Sequence, residues 1–582
     1  MKVRVPLMIK DPASSAEGEK MSEGFEIKHE DFFLDGPVTR RVAILDFDDK
    51  TGELRKPVAF VPAPKGKKIS RYDVDTEDIF SDAFIQTSVF ATVLRTMYLF
   101  ERTNFPDHRD VPILGRKLVW AFDAPQLLVV PRAGQWANAF YERESHSLQF
   151  FYIPDPNNPQ QTVFTCLSRD IVAHETGHAI LDGIAPDLYD NLTPQSLAMH
   201  EAIADLTALF MAFSSRSLTL EVLDKTDGSI EQTTAFSSIA EQVGRAIDPT
   251  GRAGYLRPLF NQKTLNPKDE SRDEEGKPNF IDSVESHELS EVLSGALYSV
   301  MVDIHNEKKV KYSQESGMSD FSASGKALAI GAEEFRRMIF RGLDYMPPGD
   351  ASFADLARGI IAAEQTLYPD DRQRQDWIKE QFVNRLIVED ASELDVETDV
   401  DYEGLKNVDI GILAESDWAA YEFANNPDNR RFLRIPDGVS SFVIRPRLDV
   451  KKPYIDADGN FQTRHECLFK VFWNQKEDNP KNLLQMLPKE RQVTMGTTLA
   501  IDWDTKKVIA RLTTDQHPRQ KKDRDRMLER MVGRNILKVG AEAIGPDGKP
   551  LCTVIRAEVA DGVMRVRETA RMLHIAQGDQ DG

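Results

Sequence analysis

The segment Asp170-Ile171-Val172-Ala173-His174-Glu175-Thr176-Gly177-His178-Ala179-Ile180 limits what this chain can fold into more than any other. Histidines four apart fall on one face of a helix, so both imidazoles reach a single ion, with Glu175 beside them near its open side. With 11 histidines and 94 acidic residues in the chain, about 0.03 matches to a His-acid-x-x-His pattern are expected by chance. The apolar neighbours Ile171, Val172, Ala173, Ala179, Ile180 and Leu181 predict a buried helix, where two unpartnered imidazoles carry a desolvation cost that a bound metal removes. Any fold must therefore bury this helix and bring a further donor to it, because two histidines do not complete a zinc site.

The stretch His200-Glu201-Ala202-Ile203-Ala204-Asp205 supplies a candidate and continues as an amphipathic helix through Leu206, Leu209, Phe210 and Phe213. Glu201 and Asp205 share a face: the first can ligate zinc and the second can accept the ring N–H of a ligating histidine. The competing reading is a solvated acidic face. With His174, His178 and Glu201 as ligands, one zinc per chain keeps a fourth position for water, whose pKa falls to about 7. Glu175 is placed to take that water's proton and pass it to a leaving amine. The chemistry predicted is amide hydrolysis without a covalent intermediate.

The length, 582 residues, predicts three or four domains. The charge balance of 73 basic against 94 acidic residues, net −21, disfavours nucleic acid and anionic membranes as partners. Three widely spaced cysteines encode neither a disulfide framework nor a cysteine-rich zinc module. The first residues are broken by Pro6, Lys10 and Asp11 before a signal-peptide core forms, and no apolar run of about 18 residues is evident, so a cytoplasmic protein is expected.

Periodicity divides the chain into an α+β arrangement. Residues 1–36 read as a polar arm. Residues 37–168 read as a sheet-rich lobe: a hairpin of 42–47 and 54–61, a helix carrying Ile85, Val89, Val93, Met97 and Phe100, then strands near 117–122, 126–130, 137–141 and 148–153. Residues 169–390 read as mainly helical, interrupted by loops at 263–277 and 312–325, with Ser352 capping a helix from Phe353 to Leu367. Residues 391–582 form an additional β-rich α+β domain. It begins with an acidic linker at 392–403 and has strands near 442–444, 468–473, 499–503 and 508–512. Turns are expected at Asp458-Gly459 and at 545–548, and Arg519–Arg534 reads as a solvated helix face.

These residues resemble the thermolysin-like zinc endopeptidases, the gluzincins, over roughly residues 37–390. The resemblance implies a two-lobed metallopeptidase with a sheet-rich N-terminal lobe and a mainly helical second lobe. It implies that Tyr189 hydrogen-bonds the tetrahedral intermediate and that Asp282 orients His287, which stabilises the oxyanion. It also implies that the edge strand at Asn138 and Ala139 holds an extended peptide and that Arg257 lies beside the S1′ pocket. The chain departs from the family in four places. The gap from His178 to Glu201 is a few residues longer, and His200 stands where asparagine is usual. Asp170 resembles a calcium ligand, but Ala212 stands near its acidic partner's place, so the family's paired calcium site is expected to be absent. No secretory leader is evident.

The expected activity is hydrolysis of internal bonds in peptide or protein substrates. A binding protein acting through the C-terminal domain is a second reading. A gluzincin aminopeptidase is a third, although no Gly-x-Met-Glu-Asn segment is found. Residues 391–582 are expected to limit access to the cleft or to select substrates.

Overall fold

The buried, alternating Val3, Val5 and Leu7 make the first residues a strand rather than an arm. The computed structural model describes residues 2–9, 22–28, 32–102, 111–155, 158–190, 193–231, 238–239, 257–273, 276–368, 371–456, 460–533, 537–539, 555–560 and 562–568. The N-terminal strands are β1 (Lys2–Met8), β2 (Ser22–Lys28), β3 (Val42–Ile44), β4 (Phe60–Val61), β5 (Ile69–Tyr72), β6 (Leu127–Val130), β7 (Ala139–Glu142) and β8 (Ser147–Phe150), then the pair β9 (Tyr152–Asp155) and β10 (Asn158–Phe164). Two four-stranded sheets result, β2-β1-β5-β4 and β3-β6-β8-β7. Helix α1 (Asp82–Glu101), capped by the Ser81 hydroxyl, buries Ile85, Val89, Val93, Met97 and Phe100 against them.

Two local expectations fail here. The hairpin of 42–61 is reduced to a single bridge between Phe47 and Leu54, because β3 pairs in parallel with β6 and β4 joins the other sheet. Residues 117–122 form no strand although Leu118, Trp120 and Phe122 are buried.

The helical part comprises α2 (Arg169–Ile184), α3 (Asp187–Asp190), α4 (Pro194–Phe213), α5 (Arg216–Lys225), α6 (Ser286–Ser316), α7 (Asp320–Tyr345), α8 (Phe353–Leu367) and α9 (Gln373–Asn384), with the short strands β11 (Ser238–Ile239) and β12 (Arg257–Pro258). The loop expected at 312–325 shrinks to a tight corner, where Gly317 ends α6 in the left-handed region and Ser319 caps α7. Helices α1 and α4 are apolar enough by composition to cross a membrane, but both are mostly buried inside the fold.

The last part holds β13 (Glu397–Val400), α10 (Ile410–Glu415), α11 (Asp417–Asn425), α12 (Pro427–Phe432), β14 (Phe442–Ile444), β15 (Leu448–Ile455), β16 (Phe461–Asp478), β17 (Glu490–Asp502), β18 (Val508–Thr513), α13 (Pro518–Gly533), β19 (Leu537–Val539), β20 (Ile555–Ala560) and β21 (Val563–Glu568). One nine-stranded sheet joins them, with β13-β18-β17-β21-β20-β19 in sequence; β16 lies against β17 and carries β14 and β15 along its other side. The acidic stretch expected as a linker is thus partly an outer strand, β13. The expected turns at 458–459 and 545–548 lie outside the described residues, although β15 and β16 pair as the arms of a hairpin.

This sheet is not a separate body. Tyr345, Ala362 and Ala363 from α7 and α8 share a core with Val450, Leu468, Ala500, Ile509 and Leu512. Gly349, at φ +107°, lets the chain after α7 lie on β17, where a Cβ would stand 2.5 Å from the Thr494 carbonyl oxygen. The Asp350 amide donates to that carbonyl at 2.8 Å, and Lys470 and Thr498 both donate to the Met346 carbonyl. Behind these contacts Lys452, Glu466 and Asp344 form a fully buried charge cluster. The fold is mixed α+β throughout.

Candidate metal centre

Helix α2 forms because its apolar residues face two sides of the core, and it stops at Ala185, which precedes Pro186 and leaves the helical region. Helix α4 starts where Thr193 accepts from the Ser196 amide and Pro194 occupies its first turn. The two helices touch at Gly177 of the motif. A Cβ there would stand 3.1 Å from the Thr207 side chain and 3.3 Å from the Ala204 Cα, so only glycine permits this approach without displacement.

That approach brings the donors together. His174 Nε2 and His178 Nε2 are 3.0 Å apart, and the Glu201 carboxylate oxygens lie 3.3 Å from the first and 3.6 Å from the second. Donors held at about 2.0–2.1 Å from a tetrahedral zinc are about 3.3–3.4 Å from each other, so the three side chains have the spacing such an ion needs. His174, Glu175 and His178 also form a buried group of metal-competent side chains. All four residues are at most 5% exposed, in a chain segment where an ionic donor set needs a counter-charge.

Each histidine is held from behind. Asp205 Oδ1 lies 2.9 Å from His174 Nδ1, leaving Nε2 to face Glu201. His178 Nδ1 lies 2.7 Å from His200 Nδ1, so His200 contacts the side of the His178 ring turned away from His174. Burial disfavours the charged form of His174, but the hydrogen bonds of Asp205 and Glu201 outweigh it and raise its pKa to about 10. Burial pushes His200 down to about 3, which keeps it neutral. Burial also opposes ionisation of Glu201, yet His287, His178 and His174 around it hold its carboxyl well below the usual range. The cluster is a buried set of acids that attracts positive charge.

Glu175 Oε2 accepts from the Tyr141 backbone amide at 3.1 Å, which ties the carboxylate to β7, the outer strand of its sheet. Ala139 lies in that strand. Asn138 precedes it, and its Oδ1 accepts from the Ala139 amide at 2.8 Å. Tyr189, in α3, is buried with its ring edge-on to His200 at 5.8 Å and beneath the Arg143 guanidinium at 4.4 Å. Asp170 is engaged by the neighbouring Arg169 guanidinium at 3.0 Å. Arg257 lies in β12, and its side chain lies outside the described residues.

His287 stands with Nε2 3.3 Å from Glu201 Oε2, but Asp282 does not orient it. Glu285 does, with Oε1 2.8 Å from His287 Nδ1, and it also caps α6 by accepting from the Glu288 amide. Burial works against ionisation of Glu285, but the hydrogen bond to His287 holds its pKa near about 2. Asp282, 67% exposed, pairs instead with Arg526 of α13 at 2.8 Å. The reason is the start of α6 at Ser286: His287 is in the first turn, within reach of its cap residue, while Asp282 lies on the loop before it. The signal for Glu285 was present in its cap position, and His200 was legible only as a departure from a pattern.

No family model matches this chain, and no curated protein matches it.

Proposed function

We propose that the chain is a metallopeptidase that hydrolyses internal peptide bonds, with the two-lobed thermolysin-like arrangement over roughly residues 37–390. The observation that carries this reading is the convergence of His174, His178 and Glu201 at tetrahedral spacing beside a carboxylate, Glu175, anchored to an outer strand. These three residues would hold one zinc, which supplies Lewis acidity and makes water nucleophilic near neutral pH. Glu175 takes a proton from the attacking water and delivers it to the amine nitrogen as the C–N bond breaks. His287, fixed by Glu285, faces the oxygen on which negative charge develops. The edge of β7 aligns an extended substrate next to Glu175.

The test is direct. Metal analysis should return one zinc per chain, and Glu175→Gln should keep that zinc while losing cleavage of an internally quenched peptide. Identical behaviour of wild type and Glu175→Gln would end the reading.

One observation favours a second reading. His287 Nε2 is as near to Glu201 Oε2 as His174 Nε2 is, both 3.3 Å, which suits a closed structural site with His287 as fourth donor. His287→Ala separates the two: zinc retained with activity lowered supports the peptidase, whereas zinc lost supports the closed site.

A further inference from the structure

A groove of about 670 Å³ lies between α11 and β14, lined by Ala414, Asp417, Tyr421, Phe442, Ile444 and Arg447 among others. Strand β14 is paired on one side only, with β16. The Arg445 amide donates to the Lys470 carbonyl at 2.9 Å, so by the alternation of an antiparallel ladder the N–H and C=O of Phe442 and Ile444 point away from β16. Among the described residues these groups have no backbone partner. The outer strand β13 of the same sheet is guarded by Glu397 and Asp399, whereas β14 reads Phe-Val-Ile and has no charge.

The surroundings are apolar and open. Trp418 is 68% exposed, Val443 52% and Tyr421 46%. Tyr421 stacks on Phe442 at 5.4 Å, and the Arg430 guanidinium lies 5.5 Å over the same ring. A cluster of exposed rings beside an uncharged strand edge marks an interaction surface. We propose that this groove binds an extended stretch of the polypeptide substrate as an added strand beside β14, a docking site separate from the cleft; this rests on the peptidase reading above.

An extended main chain is the occupant whose own N–H and C=O groups satisfy those of Phe442 and Ile444, and the rings receive its alternate side chains. Asp417 at the rim is already paired with Arg447 at 2.7 Å, so the selection falls on the apolar and aromatic side chains of that stretch rather than on its charge. The end of β14 also lies against the helix that carries Tyr189: Arg445, the residue after the strand, pairs with Asp187 of α3. A substrate leaving the cleft past α3 would reach this end of the strand.

The test uses the zinc-loaded full chain and two internally quenched peptides with one cleavage centre. One is short enough to span only the cleft, and the other is extended at both ends with alternating aromatic and serine residues. Ile444→Pro removes an outward N–H and leaves the β14–β16 ladder intact, because proline is tolerated on such an edge. Tyr421→Ser removes the ring without touching the strand. Each variant should raise KM for the long peptide about tenfold, leave its kcat unchanged, and leave the short peptide unaffected. Equal effects on both peptides, or none on the long one, would overturn the proposal. So would sedimentation showing that wild type is a dimer and Ile444→Pro a monomer, since the occupant would then be a second copy. Fluorescence anisotropy of the labelled long peptide on zinc-loaded Glu175→Gln keeps the two readings apart. If wild type cuts neither peptide but Glu175→Gln binds the long one in a manner lost on adding Ile444→Pro, the peptidase reading fails and the groove stands.

Discussion

Replacing Lys452 by methionine tests whether the C-terminal sheet and the helical part are one cooperative unit. Its Nζ is fully buried, 3.2 Å from Glu466 Oε2, 3.9 Å from Asp344 Oδ2 and 3.8 Å from the centre of the Tyr345 ring. Methionine keeps most of the stem's volume and removes the charge. Asp344 still has Arg116 at 2.9 Å, so the loss falls on Glu466, which retains the Tyr345 hydroxyl at 2.8 Å. Breaking one partner of a buried pair costs about 3–5 kcal/mol, because a charge is left uncompensated. Lys452→Met with Glu466→Gln removes both charges and should cost only about 1 kcal/mol, far less than the sum of the single changes. Urea denaturation followed by tryptophan fluorescence gives these values, with Trp473 a buried reporter within the sheet. A cost below about 1 kcal/mol for Lys452→Met, or strict additivity in the double variant, would refute the reasoning.

Glu285→Gln should lower kcat/KM about 10–100-fold, while Asp282→Asn, which disturbs only an exposed pair with Arg526, should leave it within about twofold. Steady-state kinetics on one peptide decide, and the reverse order would return the orienting role to Asp282. Gly177→Ala gains about 1 kcal/mol of helix propensity but overpacks the α2–α4 contact at about 1–3 kcal/mol. Its expected result is weaker zinc binding in chelator competition, and unchanged affinity would contradict the role given to this contact. Burial raises Asp350 to about 6, partly opposed by Arg524. A folded pKa above the unfolded value means that its contribution is present below about pH 4 and lost as pH rises through about 6, a penalty of at most about 3 kcal/mol at pH 7.5. Asp350→Asn should therefore raise the melting temperature at pH 7.5 and change it little at pH 4; equal shifts at both would count against this.

The site elements were the most legible part of the sequence, because helical spacing carries His174, His178, Glu201 and Asp205 to common faces without help from tertiary context. The α1 and α8 helices were legible for the same reason, with their serine caps. What failed depended on partners distant in sequence. Strands Val42–Ile44 and Phe60–Val61 look like neighbours, but each found a partner elsewhere, and short strands have too little pattern to specify which. Residues 1–36 and 392–403 looked polar on average, although strands need only every second residue to be apolar, as with Val3, Val5 and Leu7. The orientation of His287 turned on where one helix begins, a boundary that spacing alone leaves open by a residue or two.

The missing methyl at Gly177 also bears on how far one substitution can reach. With α2 and α4 this close, the three donors stand 3.0–3.6 Å from one another. A side chain at that point has to push the Thr207 side chain or the Ala204 backbone aside, and both belong to the helix that carries Glu201. A residue that offers no donor atom of its own thus fixes the spacing of those that do.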